Sequence, residues 1–450
     1  MTVQATFAQL IEILNATPIN VDESQYQTIA TGLTTDTREF KSGSVFLALR
    51  GENFDGHAFI EQAIEKGAIA TITDTLLDLN IPQFQVPNTL KAYQDLGHWW
   101  RQQFEIPIIA ITGSVGKTTT KELIAAALGT AGKVLKTEAN NNNEIGVPKT
   151  LLGLTPEHDY AVIEMGMRGR GEIAELTQIA QPDIAVITNV GTAHIGRLGS
   201  REAIAEAKCE LLAQMPKTSK AILNADIPLL MSTAKTVWQG ALTTYGFTEE
   251  ADLKGRLVDE HTVEVNGETY PLPLPGEHNA LNYLAVVAIA QHLNLNLAPL
   301  RQGFTVNLPG GRAQKITLAN DIVLLDETYN AGFESMSAAL KLLASTPGQR
   351  HIAVLGPMKE LGDYAEALHQ SIGELVETLQ LDQLLILDQG PEGNALAKGV
   401  TSVPTQQFDT HEALIDYLEQ GMEGGDRVLL KASNSVGLSR VVERLRIRLK

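Results

Sequence analysis

Residues 106–120 read Ile-Pro-Ile-Ile-Ala-Ile-Thr-Gly-Ser-Val-Gly-Lys-Thr-Thr-Thr. An apolar β-type run breaks into a glycine-rich turn, and a helix-compatible stretch follows from Lys121. Gly113 and Gly116 lack the Cβ that would keep the backbone from wrapping an anion. The N–H groups at the helix start then meet phosphate oxygens, helped by the positive end of the helix dipole. Gly113, Ser114, Val115, Gly116, Lys117, Thr118 and Thr119 are therefore the candidate nucleotide residues. Lys117 can reach the β- and γ-phosphates, and Thr118 can place its hydroxyl on Mg²⁺. The usual pattern has an earlier glycine, and Ile111 stands in its place. An ordinary glycine-rich turn is the bland alternative, but Gly-Lys-Thr between strand and helix argues against it. The expectation is ATP or GTP binding.

Around this loop the chain alternates strands and helices, the pattern of a doubly wound parallel sheet. Ala161–Met165, Asp183–Thr188 and Ala221–Asn224 read as buried parallel strands, with helices over Ile173–Ala180 and Ala203–Met215. Hairpin-like strands over Thr262–Leu274 and a long helix over Gly276–Leu293 complete a central P-loop domain at 105–308. Residues 1–104 form a smaller N-terminal α/β domain, with a strand at Gly43–Leu49, a turn-rich Gly51–His57 and a helix at Phe59–Lys66. The helix Leu90–Phe104 joins the two, and its Trp99 and Trp100 read as packing residues. Pro309-Gly-Gly311 marks a linker. Beyond it, 309–450 restarts the alternation as a C-terminal Rossmann-like α/β domain, with strands at Ile322–Asp326, His351–Gly356, Leu384–Asp388 and Arg427–Lys431. About three domains suit 450 residues.

A net charge of −18 with no basic block argues against nucleic-acid or anionic-membrane partners. The single cysteine, Cys209, cannot form an internal disulfide, so a reducing compartment is the default. No signal-like N-terminus or bilayer-length apolar run is present, and the expected location is cytoplasmic.

Polar residues stand where open α/β sheets build sites, just beyond strand C-termini. Glu164 closes its strand and suits a Mg²⁺ ligand, with a helix cap or surface carboxylate as the alternative. His194, in Asn189-Val-Gly-Thr-Ala-His-Ile-Gly196, can bind metal or orient phosphate, or be a hydrogen-bonded loop histidine. Lys208, between Glu206 and Glu210, reads by spacing alone as a solvated lysine on an acidic helix face. Asn142 and Asn143, in Asn140–Pro148, can bind a polar substrate or form Asx turns. Asn279, in Gly276-Glu-His-Asn279, can cap its helix or bond a base. Asp326, followed by Tyr329-Asn330, has the groups needed for ribose and base.

Together and in this order, these segments resemble the Mur ligases, the ATP-dependent amide-forming enzymes of peptidoglycan precursor synthesis. The resemblance rests on Thr35-Asp-Thr-Arg38, Gly51 to His57, Thr112 to Thr119, Asn140 to Pro148, Glu164-Met-Gly166 and Gly276 to Asn279. It continues through Gly311-Arg312, Asp326 to Ala331, and Val354-Leu-Gly-Pro-Met-Lys-Glu-Leu-Gly362. The last segment is the one most similar to the branch that adds D-alanyl-D-alanine. The Asp-Asn-Pro-Arg motif of the diaminopimelate-adding branch is absent. Departures are Pro357 for the usual Asp, Lys431-Ala-Ser-Asn434 for Lys-Gly-Ser-Arg, and an extra glycine at Gly310-Gly311.

What the resemblance implies is a ligase that joins D-Ala-D-Ala to a UDP-N-acetylmuramoyl-tripeptide through an acyl phosphate, with ATP and two Mg²⁺ ions. One ion would use Thr118 and Glu164, and a second His194 and a carbamylated Lys208. Lys117, Glu164, His194 and Lys208 carry catalysis on that reading. Asn279, Asp326 and Asn330 hold adenine and ribose, and Arg312 contacts the nucleotide across the hinge. Thr35, Asp36 and Arg38, with Asn142 and Asn143, contact the UDP-muramyl substrate. Residues 1–104 would bind the UDP-sugar, and the enzyme would act as a monomer. Rival readings are a diaminopimelate- or lysine-adding ligase, a folylpolyglutamate-type synthetase, and a non-catalytic scaffold switched by ATP.

Overall fold

Ile108–Thr112 forms a strand with all five residues buried, as a parallel strand covered on both faces requires. The computed structural model describes residues 3–51 and 54–448. Glu52 and Asn53 of the turn-rich Gly51–His57 segment lie outside the described residues. Ile108–Thr112 pairs in parallel with Tyr160–Glu164 on one side and Ile184–Ile187 on the other. Val134–Lys136 lies outside the first, and Lys220–Asn224, Ala241–Gly246 and Leu253–Asp259 extend the parallel order beyond the second. The hairpin Thr262–Val265 and Glu268–Pro271 closes this nine-stranded sheet in antiparallel fashion. The strand order reverses beside Ile108–Thr112, and such a switch point opens a crevice at the strand C-termini.

Two helical layers cover the sheet. Lys117–Leu128 and Glu277–His292 bury their apolar side chains against one face, and Glu172–Ala180 and Arg201–Gln214 against the other. The phosphate-loop helix starts at Lys117 rather than Lys121, because Gly116 turns the chain at φ 80°. The threonine run has modest helix propensity, yet Thr118 and Thr120 are buried, so packing overrides it. Gly276 is the N-cap of Glu277–His292, and Asn279 instead donates Nδ2–H to the Pro275 carbonyl at 2.8 Å.

The N-terminal sheet runs Thr17–Ile19, Gln83–Gln85, Ala70–Thr73, Val45–Leu47 and Leu33–Thr34, parallel except for its first pair. Helix Thr89–Arg101 fastens it to the central sheet. Trp100 donates Nε1–H to the Leu154 carbonyl, and Arg101 donates to the carbonyls of Ala180 and Gln181. The paired tryptophans are thus packing residues.

The C-terminal sheet has six strands. Gln314–Thr317 is an antiparallel edge, followed in space by Val323–Asp326, Asp426–Lys431, Arg350–Leu355, Gln383–Leu387 and Thr405–Phe408, all parallel. Its apolar face joins that of the central unit, with Ile195 on one side and Met336, Met358 and Leu361 on the other in one continuous cluster. Among the described residues, no helix is long and apolar enough to cross a membrane.

Candidate active site

The strand C-termini of the central and C-terminal sheets face each other across a cavity of about 1130 Å³. From the central unit its lining takes Ser114 to Thr119, Asn142, Asn143, Glu164, His194 and Asn279, and from the C-terminal unit Arg312 and Asn330. Gly113, Lys208 and Asp326 lie behind that lining. Thr35, Asp36 and Arg38 sit in the N-terminal unit, outside this cavity. Asp36 accepts from the Arg38 backbone and guanidinium, which holds its carboxyl down at about 2.

The phosphate loop is shaped by the end of the neighbouring strand. Asn189 Oδ1 accepts from the N–H groups of Ser114 and Val115, both at 3.0 Å. Thr188 Oγ1 donates to the Val115 carbonyl at 2.8 Å, and the Gly191 N–H donates to Ser114 Oγ at 2.9 Å. A Cβ on Gly113 would fall 1.9 Å from Thr188 Oγ1, so only glycine allows this approach. The first amides of the helix, from Lys117 onward, have no intrahelical acceptor and offer the anion site. Lys117 Nζ donates to the Gly113 carbonyl at 2.8 Å. Burial lowers its pKa, and nearby Glu164 opposes that shift.

Glu164 is 2% exposed, and its Oε1 accepts from Asn142 Nδ2 at 2.8 Å. Its Oε2 is buried with no hydrogen-bond donor, and the Lys121 ammonium stands 3.9 Å away. A buried carboxylate oxygen left without a donor, on a cavity that Thr118 also lines, fits a hard cation such as Mg²⁺. Among the described residues, no group of three or more His, Cys, Asp or Glu side chains forms a metal cage.

His194 adopts φ 66°, and across the domain interface Glu360 also adopts φ 66°. Left-handed backbone is uncommon for such residues and persists where the surroundings enforce it. The Glu360 carboxylate lies 2.5 Å from His194 Nδ1 without the alignment of a hydrogen bond. Burial lowers the His194 pKa, against the pull of Glu360.

Lys208 is 1% exposed, and no hydrogen bond or ion pair reaches its Nζ among the described residues. Burial, reinforced by the charge on Lys117, pushes its pKa well below the usual lysine value. The solvated-lysine reading is overturned. Its acidic neighbours also turn away from it: Glu206 pairs with Arg170 at 2.6 Å, while Glu210 accepts from the N–H groups of Gly171 and Ala174. Both carboxylates serve residues 170–174, so they are neither ion-pair partners of Lys208 nor neighbours of a metal site.

The C-terminal unit supplies cations. The Arg312 guanidinium lies 3.7 Å from the centre of the Tyr329 ring, and its Nε is buried without an acceptor. Lys431 Nζ donates to the Asn330 carbonyl at 3.0 Å and lies 3.4 Å from Glu327 Oε2. Asp326 Oδ1 accepts from the Thr328 backbone and hydroxyl, which fixes the turn that presents Tyr329 and Asn330. Asn434, at a departure from the family pattern, donates to the Tyr329 carbonyl at 3.1 Å. Pro357, at another, accepts from the Ser433 N–H at 3.1 Å.

Three family models match along the chain: the Mur ligase family catalytic domain over residues 30–95, the Mur ligase middle domain over 111–290, and the Mur ligase glutamate ligase domain over 311–434. The UDP-N-acetylmuramoyl-tripeptide–D-alanyl-D-alanine ligase of Synechocystis is 57% identical over 414 residues, 91% of either chain. The chain belongs to the Mur ligase family. The crystal structure of MurF from Acinetobacter baumannii superposes with a TM-score of 0.90 at 31% identity, covering 99% of this chain and 100% of that one. MurF ligase from Thermotoga maritima, solved in complex with ADP, gives a TM-score of 0.82 at 28% identity, covering 93% and 97%.

Sequence reasoning missed Thr188 and Asn189 as shapers of the phosphate loop, and Lys431, Glu334 and Glu360 as cavity residues. Asn189 carried a usable signal, since it directly follows an apolar strand. Glu334 carried none, because its partner is 142 residues away in sequence.

Proposed function

We propose that this Mur ligase joins D-alanyl-D-alanine to a UDP-N-acetylmuramoyl-tripeptide at the expense of ATP. One observation carries the reading: the phosphate loop with Lys117 and the donorless Glu164 oxygen opens onto the same cavity as Lys359 and Glu360 of the Val354–Gly362 segment. The names of the Synechocystis relative and the Acinetobacter and Thermotoga structures support the choice of amino substrate.

On this reading a carboxylate oxygen of the tripeptide attacks the γ-phosphorus, and ADP leaves. The dipeptide amine, having lost its proton, attacks the acyl carbon, and phosphate leaves. The chain contributes position and charge and forms no covalent bond to substrate. Lys117 and the first amides of its helix neutralise the phosphates. Arg312 and Lys431 add positive charge from the opposite wall, while Asn279 and Asn330 orient adenine and ribose. Residues 1–104, with Thr35, Asp36 and Arg38, hold the UDP-sugar end, and Asn142 and Asn143 the peptide. Thr118 and Glu164 would hold one Mg²⁺, and His194 with a Lys208 carbamate a second. Mg²⁺ there supplies charge neutralisation on the transferring phosphoryl group. The carbamate is supported by the buried Lys208 amine, which no hydrogen bond or ion pair holds and which burial shifts toward the neutral form that takes up CO₂.

The test is a phosphate-release screen of UDP-muramyl peptides against amino acids and D-dipeptides. Release should require the tripeptide together with D-Ala-D-Ala. Equal turnover with diaminopimelate or lysine on the dipeptide substrate would move the chain to another branch of the family.

A further inference from the structure

The loop from Asn189 to His194 touches two things at once. Its first half holds the phosphate loop through Asn189 Oδ1 and the Gly191 N–H. Its second half is gripped by the C-terminal unit. Glu334, in the first turn of helix Phe333–Ser345, accepts from the Thr192 N–H at 2.7 Å and lies 3.2 Å from the Thr192 hydroxyl. The approach is close enough that a Cβ on Gly191 would stand 2.5 Å from the Glu334 carboxyl carbon. Glu327 and Glu360, the neighbouring carboxylates on that wall, each have a cationic partner in Lys431 and Arg197. No ion pair reaches Glu334 among the described residues. Its bonds go to the loop.

We propose that Glu334 is a positioning residue for the ligase reaction, a latch by which the C-terminal unit sets the loop that shapes the phosphate site and carries His194. The assignment rests on the reading of that site as the place of phosphoryl transfer. A charged acceptor for a backbone N–H makes a stronger bond than a neutral one. The bond can exist only when the two units are closed, because its partners belong to different sheets. Closure is thereby transmitted to Ser114 and Val115 through Thr192, Gly191 and Asn189. The carboxylate does not need to touch substrate for this role. It needs only an oxygen facing Thr192, and room beside Gly191.

The experiment compares Glu334→Ala, Glu334→Gln, Gly191→Ala and the Glu334→Ala/Gly191→Ala pair in the full-length enzyme. Readouts are kcat and KM with D-Ala-D-Ala, ADP affinity by calorimetry, and radius of gyration by solution scattering. Glu334→Ala should lower kcat about tenfold, the loss of one charge-assisted bond, while ADP affinity changes less than about twofold. Glu334→Gln keeps an oxygen for the Thr192 N–H and should recover most of that loss. Gly191→Ala should reproduce Glu334→Ala by crowding the carboxylate away, and the pair should be no worse than either single change. Scattering should show the Ala variant more expanded than wild type in ADP, with the Gln variant between them. A Gln variant as slow as the Ala variant but with wild-type dimensions would assign the charge to substrate instead, and additive losses in the pair would break the latch. Wild-type dimensions and kcat in Glu334→Ala would also overturn it. If wild type uses no D-dipeptide at all, the function reading fails, while the scattering still decides the latch.

Discussion

The two sheets that face the cavity have similar parallel cores, yet they build their sides of it by opposite means. The central sheet builds around a backbone cradle, to which Lys117 and Glu164 add side chains: a strand end, Gly113, Gly116 and the first amides of helix Lys117–Leu128, all within twenty residues. The C-terminal sheet has no such loop. It collects side chains from separate strand ends, with Arg312 before the edge strand, Asn330 after Val323–Asp326, and Lys431 at the end of Asp426–Lys431. A backbone site works from one short stretch. A side-chain site works only if the sheet assembles and the two units close on each other.

The largest effect is expected on the backbone side. Lys117→Ala should leave the melting temperature near that of wild type and lower kcat by about 10²–10³ or more, because a preorganised charge on the transferring group is lost. Near-wild-type turnover would show that the loop is not the catalytic phosphate site. Next, Lys208→Ala should reduce turnover far more than nucleotide binding, with partial recovery in formate or acetate. Failure of small carboxylates to restore any activity, together with an unmodified Lys208 in the mass spectrum of the Mg²⁺–nucleotide complex, would remove the carbamate.

The buried amine also sets a pH dependence. The folded pKa of Lys208 is depressed, so the unfolded chain binds the extra proton between that value and the ordinary lysine value of about 10.4. Stability in CO₂-free buffer should therefore rise with pH across that window. In Lys208→Met the slope should fall by up to about 1.4 kcal/mol per pH unit, read from denaturant titrations at successive pH values. Parallel pH profiles for the two proteins would contradict a neutral Lys208.

The closure that the C-terminal side depends on can be strained directly. A Cβ on Gly196 would stand 2.5 Å from the Gly362 nitrogen, and the Gly196 N–H donates to the Glu360 carbonyl at 3.2 Å. Gly196→Ala should open the interface at a cost of about 1–3 kcal/mol and reduce kcat about tenfold, with an expanded scattering profile. The smallest effect belongs to Asn434→Ala. Loss of its bond to the Tyr329 carbonyl is worth about 1 kcal/mol and should raise the KM for ATP about fivefold. A larger effect there than at Lys117 would invert the contrast between the two sides.

The phosphate loop, the strands around it and the alternation of both sheets were legible because each is coded by neighbours in sequence. Ile108 to Ile111 are all apolar, and the turn residues follow at once. The helix start at Lys117 was less legible, since its threonines become helical only through burial. Lys208 shows the limit most clearly. Its spacing from Glu206 and Glu210 describes a solvated ion-pair face, but Arg170, Gly171 and Ala174 take both carboxylates and leave the lysine buried with no hydrogen bond or ion pair.

By itself the sequence determined the α/β alternation, the anion-binding turn and the strand-end position of Glu164, because hydrophobic periodicity and glycine placement act over a few residues. The tertiary structure decided that Lys208 is buried, that Asn189 holds the phosphate loop, and that Thr192 meets Glu334 and His194 meets Glu360. Those contacts join residues far apart in sequence, and no local pattern specifies them. They follow from two sheets, each folded by its own short-range code, docking through a shared apolar cluster that brings their strand ends face to face.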